Sequence, residues 1–164
     1  MRPGIRRTVT GAAVGALLAG AACSKTALAP EDYGVSGVTR GTSDDREASR
    51  NAAAARLATR YLGAPYVRAG SSPAGFDCSG LVRHVYASVG VALPHNAAQQ
   101  YRHGTAVTRD RLAPGDLVFF DGLRHNGIYL GDGRFVHATQ PGGVVIARLD
   151  NEWFRTRWVG ARRL

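Results

Sequence analysis

At Pro114 the texture of this sequence changes, and the change limits the chain to one class of fold. Before Pro114, apolar residues recur at helical spacing. Ala54, Leu57, Ala58, Tyr61 and Leu62 line one helix face, and Leu81, Val82, Val85, Tyr86 and Val89 line another. After it come short β-type runs: Leu117–Phe120, Ile128–Leu130, Phe135–His137, Val144–Ile146 and Trp158–Val159. Gly122, Gly131-Asp132-Gly133 and Gly142-Gly143 part them as turns. Turns this short join antiparallel neighbours. Helices first and an antiparallel sheet after is the α+β class. Asp44 with Glu47 three residues on opens the first helix as a capping box, and Gly63 and Pro65 stop it. A loop rich in Gly, Ser and Pro covers 68–77, a second helix covers 79–89 and ends at Gly90, and Pro94 begins a short helix through Gln99 and Gln100.

The 164 residues suit one domain with an N-terminal extension. Residues 1–10 carry Arg2, Arg6 and Arg7 and no acid, and residues 11–22 are an apolar block of Ala, Gly, Val and Leu. That is the pattern of a signal segment. No apolar run reaches the ~18 residues of a spanning helix, which excludes a polytopic membrane protein. Cys23 follows Ala21-Ala22 and precedes Ser24, which resembles a lipoprotein lipidation site, although Gly20 stands where an aliphatic residue is usual. Plain cleavage after Ala19-Gly20-Ala21 or Ala27-Leu28-Ala29 is the competing expectation. The expected organisation is a signal segment at 1–22, a flexible tether at 23–43 and one domain at 44–164.

Basic residues outnumber acidic ones by 21 to 12, a net charge of +9. Without the three arginines of residues 1–22 the remainder keeps 18 basic and 12 acidic residues, or +6. Such a surface favours anionic partners, and export argues against nucleic acid among them. The arginines are scattered rather than run together, which also fits a solvated face. Hydrophobic residues at 45% exclude a wholly disordered chain. Two cysteines, Cys23 and Cys78, exclude a disulfide scaffold.

Cys78 stands where the glycine-rich loop becomes a helix. A helix N-terminus favours thiolate over thiol, and thiolate is the nucleophilic form. A small buried core cysteine is the competing reading. A thiol nucleophile needs a base that works near neutral pH, and histidine fits. His84 lies off the apolar face of its helix and is expected in solvent. His103 sits in a polar loop, and His95 beside Pro94 is a candidate cleft residue. His125 begins one strand and His137 lies inside the next. A hairpin centred on Gly131 sets these two opposite each other, so one imidazole can orient the other. Packing or surface roles for the two histidines remain open at this point. So does a zinc site of Cys78, His125 and His137, which no short-spaced ligand pair supports.

Ala64-Pro65-Tyr66-Val67, then Ser72 to Val82 with Asp77-Cys78-Ser79-Gly80 at its centre, is similar to the NlpC-type cell-wall peptidases. The likeness continues in Leu93-Pro94, Gln99 and Gln100, Leu112 to Phe120, His125-Asn126-Gly127-Ile128-Tyr129, Phe135 to Ala138, and Trp158 to Arg163. It spans roughly 48–163 in order. The resemblance implies a papain-like fold, with helices packed on an antiparallel sheet and the nucleophile at a helix N-terminus. It implies a cysteine endopeptidase that cleaves amide bonds in peptidoglycan stems or cross-links. Cys78 would be the nucleophile, His125 the base and His137 its orienting partner. Tyr66 would line the site near the oxyanion. Asp77, Ser79 and His95 would contact substrate. No metal or organic cofactor is implied. The likeness to small lipoprotein endopeptidases implies a monomer in the periplasm or cell envelope, held at the outer membrane if Cys23 is lipidated.

Two departures stand out. Asn126 replaces the usual Val and is expected to point away from Cys78, touching packing more than chemistry. His95 stands where Arg is more common. The same residues would also serve an amidase or acyltransferase acting on another amide or ester. A catalytically silent wall-binding lipoprotein is the reading from a different class.

Overall fold

The computed structural model describes residues 42–164 together with the isolated Thr8. The expected signal segment (Thr8 apart), Cys23 and the tether up to residue 41 lie outside the described residues. Helix α1 (Ser43–Ala58) starts on Thr42, whose hydroxyl accepts the Asp45 N–H at 3.3 Å while the Asp45 carboxylate accepts the Thr42 N–H at 3.0 Å. This capping box lies two residues upstream of the expected Asp44–Glu47 pair. Both pairs have the right spacing, and the one with a hydroxyl at the cap forms. One 3₁₀ turn, Thr59–Tyr61, ends the helix before Gly63 at φ +84°.

A small hairpin of β1 (Ser71–Ser72) and β2 (Gly75–Phe76) leads directly into α2 (Cys78–Ser88). Short α3 (Ala97–Gln100) follows, capped by Asn96 rather than begun at Pro94. The strands are β3 (Thr105–Val107), β4 (Leu117–Phe120), β5 (His125–Gly131), β6 (Arg134–Thr139), β7 (Gly143–Arg148) and β8 (Trp158–Arg163), with α4 (Glu152–Thr156) before β8. They form one antiparallel sheet in the order β3-β8-β4-β5-β6-β7. The α+β expectation holds. Strands β1 to β3 and helix α4 are additions to the elements read from sequence, the first two within the expected 68–77 loop.

Strand alternation divides the core between two sheet faces. Leu117, Phe119, Ile128, Val136, Ala138 and Val144 pack against Ala54, Ala55 and Ala58 of α1 and Leu81, Val82, Val85 and Tyr86 of α2. Val118, Phe120, Tyr129, Phe135 and Ala161 pack on the other face with Leu149, Phe154 and Trp158. Each large side chain fully buried here contributes about 2–3 kcal/mol. Asp116, fully buried, holds the sheet to its neighbouring loop. Its carboxylate accepts Nε and Nη2 of Arg163 at 2.8 and 2.7 Å and the Ala113 N–H at 2.7 Å.

The start of α2 is pressed against the 64–77 loop. Val67 N–H donates to Phe76 O, Phe76 N–H to Pro65 O and Asp77 N–H to Gly70 O, at 3.0, 3.0 and 2.9 Å. A Cβ on Gly80 would run into the Gly70 carbonyl oxygen and come within 2.9 Å of His95 Nε2. In an open helix Gly→Ala stabilises by up to about 1 kcal/mol. Here Gly80→Ala is expected to destabilise by about 1–3 kcal/mol, read as a lower urea midpoint at unchanged slope.

Candidate active site

Cys78 is the first residue of α2, and Asp77 is its cap. One oxygen of Asp77, Oδ1, accepts three hydrogen bonds. They come from the Gly80 N–H at 2.6 Å, the Ser79 hydroxyl at 3.1 Å and His95 Nε2 at 2.9 Å. The Cys78 thiol points to the start of β5, with Sγ 3.8 Å from the Arg124 carbonyl oxygen. The Asn126 N–H also faces the sulfur. The thiol therefore stands beside the backbone on both sides of His125.

His125 Nε2 and His137 Nδ1 are 2.8 Å apart. The two residues are not directly opposite, as a hairpin centred on Gly131 would have them. Ile128 pairs with Val136 and Tyr129 with Phe135, which centres the hairpin one residue later. His125 and His137 are thus diagonal neighbours. A displacement of two residues keeps them on one face, so the rings still meet. Continuing that register sets Gly127 opposite His137, where a Cβ would lie 3.1 Å from the His137 Cβ. Glycine keeps that space clear for the Val136 carbonyl and the Phe135 ring, which a Cβ would meet at 2.6 and 2.7 Å.

The turn before β5 is left-handed over three residues, with φ of 53° at Asp121, 59° at Gly122 and 69° at Leu123. Two of these are not glycine, which costs roughly 1–2 kcal/mol each. Arg124 clamps the turn, its Nε and Nη2 donating to the Asp121 carboxylate at 3.1 and 3.0 Å. A cleft of about 580 Å³ opens here, bounded by His125, His137, Trp153 and Phe154 with Asp121 and Arg124 at its rim. Trp153 and Phe154 belong to α4, and their ring centroids lie 6.0 and 6.2 Å from that of His125. This wall was not among the elements expected from residue spacing. Its signal was Asn151 ahead of Glu152-Trp153-Phe154, a capping residue before a short helix.

Burial decides the charge states. It pushes His125 down to about 4, against a smaller upward pull from Asp121. It pushes His137 down to about 3, with His125 adding to the effect. Both rings are neutral at pH 7. The Cys78 thiol is pushed above its ordinary value, first by burial and then by the Asp77 carboxylate. The N–H groups of Asn126, Ser79 and Cys78 itself pull the other way. The expectation that the helix N-terminus favours thiolate is thereby corrected. The half charge of a helix end is outweighed by burial and by the full charge of its own cap.

Tyr66 lies along β2 through a bridge to Phe76. Its phenol is pushed up by burial, then by Cys78 and Asp77, so it stands near both. The Ser79 hydroxyl is turned onto Asp77. His95, expected to contact substrate, has Asp77 as its partner. His84, expected in solvent, is half-buried. Its Nε2 meets the Tyr61 hydroxyl at 2.8 Å and its ring packs on Phe76. The Asn126 side chain turns toward the helices, into a fully buried contact with Gln100. Among the described residues no group of three or more His, Cys, Asp or Glu is arranged to hold a metal ion.

Fold and site define an α+β protein of papain-like architecture, with a cysteine opening a helix beside a pair of strand histidines. The NlpC/P60 family model matches residues 63–163, and the chain belongs to that family. It is 42% identical over 113 residues to a gamma-DL-glutamyl hydrolase of Bacillus subtilis, covering 65% of this chain and 27% of that protein. It is 37% identical over 110 residues to a gamma-D-glutamyl-L-lysine dipeptidyl-peptidase of Bacillus cereus, covering 63% of this chain and 33% of that one. The chain thus spans a third or less of these curated relatives. The NlpC/P60 domain of the peptidoglycan hydrolase SagA superposes with a TM-score of 0.63 at 35% identity, covering 70% of this chain and 98% of the domain.

Two outcomes follow from the charges. Asp77→Asn keeps a capping oxygen and removes the anion that raises the thiol. It is expected to lower the Cys78 pKa and speed iodoacetamide alkylation at pH 7, read by mass spectrometry on the Cys78 peptide. An unchanged rate contradicts the electrostatic account. His125 and His137 are neutral when folded and free to protonate near 6.5 when unfolded. The unfolded chain therefore binds more protons between about pH 4 and 6.5, and stability is full above that window and falls as pH drops through it. Each histidine adds a slope of up to about 1.4 kcal/mol per pH unit. Urea midpoints from pH 7 to 5 check this, and His137→Asn is expected to flatten the curve.

Proposed function

We propose that the chain is a cysteine peptidase that hydrolyses amide bonds in peptidoglycan peptides, with Cys78, His125 and His137 as its catalytic residues. The observation that carries this reading is the 2.8 Å contact between His125 Nε2 and His137 Nδ1, next to a thiol 3.8 Å from the Arg124 carbonyl. For His125 to act as base, its Nδ1 must carry the lone pair. The proton then sits on Nε2, which donates to His137 Nδ1. His137 thereby holds His125 in the working tautomer.

The resting state is a thiol and a neutral imidazole. As the sulfur attacks the amide carbon, His125 Nδ1 takes the thiol proton. The Cys78 N–H and the Tyr66 hydroxyl stabilise the oxyanion. The C–N bond breaks, the leaving amine takes the proton from His125, and a thioester remains. Water attacks the thioester while His125 accepts its proton. The free acid leaves and the thiol is restored. Asp77 and His95 contact the substrate beside the nucleophile, and Ser79 holds Asp77. The leaving amine must stand next to His125, so the cleft under Trp153 receives the leaving half of the substrate.

Two relatives are named as a gamma-DL-glutamyl hydrolase and a gamma-D-glutamyl-L-lysine dipeptidyl-peptidase, which supports a bond following a gamma-glutamyl residue. SagA, named as a peptidoglycan hydrolase, supports the wall as substrate. Export by residues 1–22 and lipidation at Cys23 belong to the same proposal, since a wall hydrolase acts outside the cytoplasm.

The test is incubation of the full chain with isolated cell walls and defined stem peptides, with products read by mass spectrometry. Wild type is expected to release peptides and Cys78→Ala none. His137→Ala is expected to lower kcat by about 10²- to 10⁴-fold through loss of the tautomer. Release by both wild type and Cys78→Ala, or by neither, overturns the proposal.

A further inference from the structure

Two polar side chains lie in the otherwise apolar layer between the sheet and α2, and the chemistry proposed above gives neither a task. Asn126 and Gln100 are both 0% exposed. Their orientation follows from their partners. The Gln100 amide nitrogen donates to the carbonyl oxygens of Pro94 at 2.7 Å and Ser79 at 2.9 Å. Carbonyls only accept, so this end of Gln100 is its NH₂ group. The other end, Oε1, needs a donor, and Asn126 Nδ2 supplies one at 2.6 Å. Asn126 Oδ1 is thereby turned to a buried position where it has no partner. An unmet acceptor in an apolar layer is a standing cost, and such groups call for an explanation.

The connectivity supplies one. Ser79 follows Cys78 in the chain, and Asn126 follows His125. Gln100 joins the residue after one to the residue after the other, and through Pro94 it also holds the segment carrying His95. Strand alternation turns Asn126 toward the helices and His125 toward the opposite face, so a pull on Asn126 sets the strand without touching the imidazole. We propose that Gln100 and Asn126 are positioning residues, a buried bridge that fixes the start of β5 against the start of α2 and so sets Cys78 relative to His125. This rests on the catalytic roles proposed above. The Asn126 backbone N–H is also one of the groups drawing the thiol toward ionisation, and it moves with the bridge.

The test uses the full chain carrying Asn126→Val, which removes the donor and keeps a compact branched side chain on the strand. It exchanges one unmet acceptor, Asn126 Oδ1, for another, Gln100 Oε1, so the thermal midpoint is expected to stay within a few degrees of wild type. On a stem peptide, kcat is expected to fall about tenfold with KM within about twofold, as for a small misplacement of reacting groups. Iodoacetamide labelling of the Cys78 peptide at pH 7 is expected to slow about threefold as the Asn126 N–H moves off the sulfur. Asn126→Asp is the second variant. Its carboxylate opposes Gln100 Oε1 at high pH and its protonated form donates to it at low pH. Its activity relative to wild type at the same pH is therefore expected to recover as pH falls. Folded variants with wild-type kcat and labelling rate overturn the bridge. The labelling comparison needs no substrate, so it judges the bridge even if the wild type hydrolyses nothing, an outcome that counts against the proposed function alone.

Discussion

Three donors converge on Oδ1 of Asp77, and the site is arranged around that oxygen. The Gly80 N–H makes it a helix cap, the Ser79 hydroxyl braces it from within the first turn, and His95 reaches it from the segment before α3. A cap of this kind contributes about 1 kcal/mol to a helix. Here it also fixes where the helix begins, and hence that Cys78 is its first residue. The tight approach of Gly80 to the Gly70 carbonyl depends on the same start. Moving the helix start by one residue would rotate the thiol by about 100° around the helix axis, away from β5.

That anchor has an electrostatic consequence for the cysteine beside it. The carboxylate that starts the helix raises the thiol it presents, and burial raises it further. Burial also keeps His125 and His137 neutral. A thiol and an uncharged imidazole pair make a resting site with no stored ion pair. Asp121, whose carboxylate favours the charged form of His125, is held by Arg124 at the strained turn just ahead of that residue.

The sequence carried the class of fold and the order of elements because each rests on local signals. Helical spacing marked α1 and α2, glycine turns marked β4 to β7, and the run Trp158-Val159 marked β8. Cys78, His125 and His137 were legible for the same reason, since one opens a helix and two sit on adjacent strands. What escaped depends on which of two acceptable partners wins, or on contacts between distant segments. Thr42 and Asp44 both offered a cap, and the hydroxyl prevailed. The hairpin centre was off by one residue because the turn falls on Asp132-Gly133, and a run of Gly131-Asp132-Gly133 does not say which two of its residues turn. Helix α4 is five residues long, below the length at which periodicity shows. The thiol shift was misjudged by weighing the helix end without its own capping anion.

Strand β5 shows how these levels join. Its odd positions, His125 and Tyr129, belong to the face of Phe120, Phe135 and Phe154, while Asn126 and Ile128 turn toward α2. A period of two therefore gives neighbouring residues separate environments and separate demands. The imidazole needs an aromatic wall and a second ring to stay neutral and oriented. The amide needs Gln100, because a polar group on the helix side has no water to turn to. Had both residues faced one side, polar and apolar requirements would compete for the same volume. Alternation removes that conflict, so a single strand start can be fixed from the helical layer while its imidazole is shaped from the other.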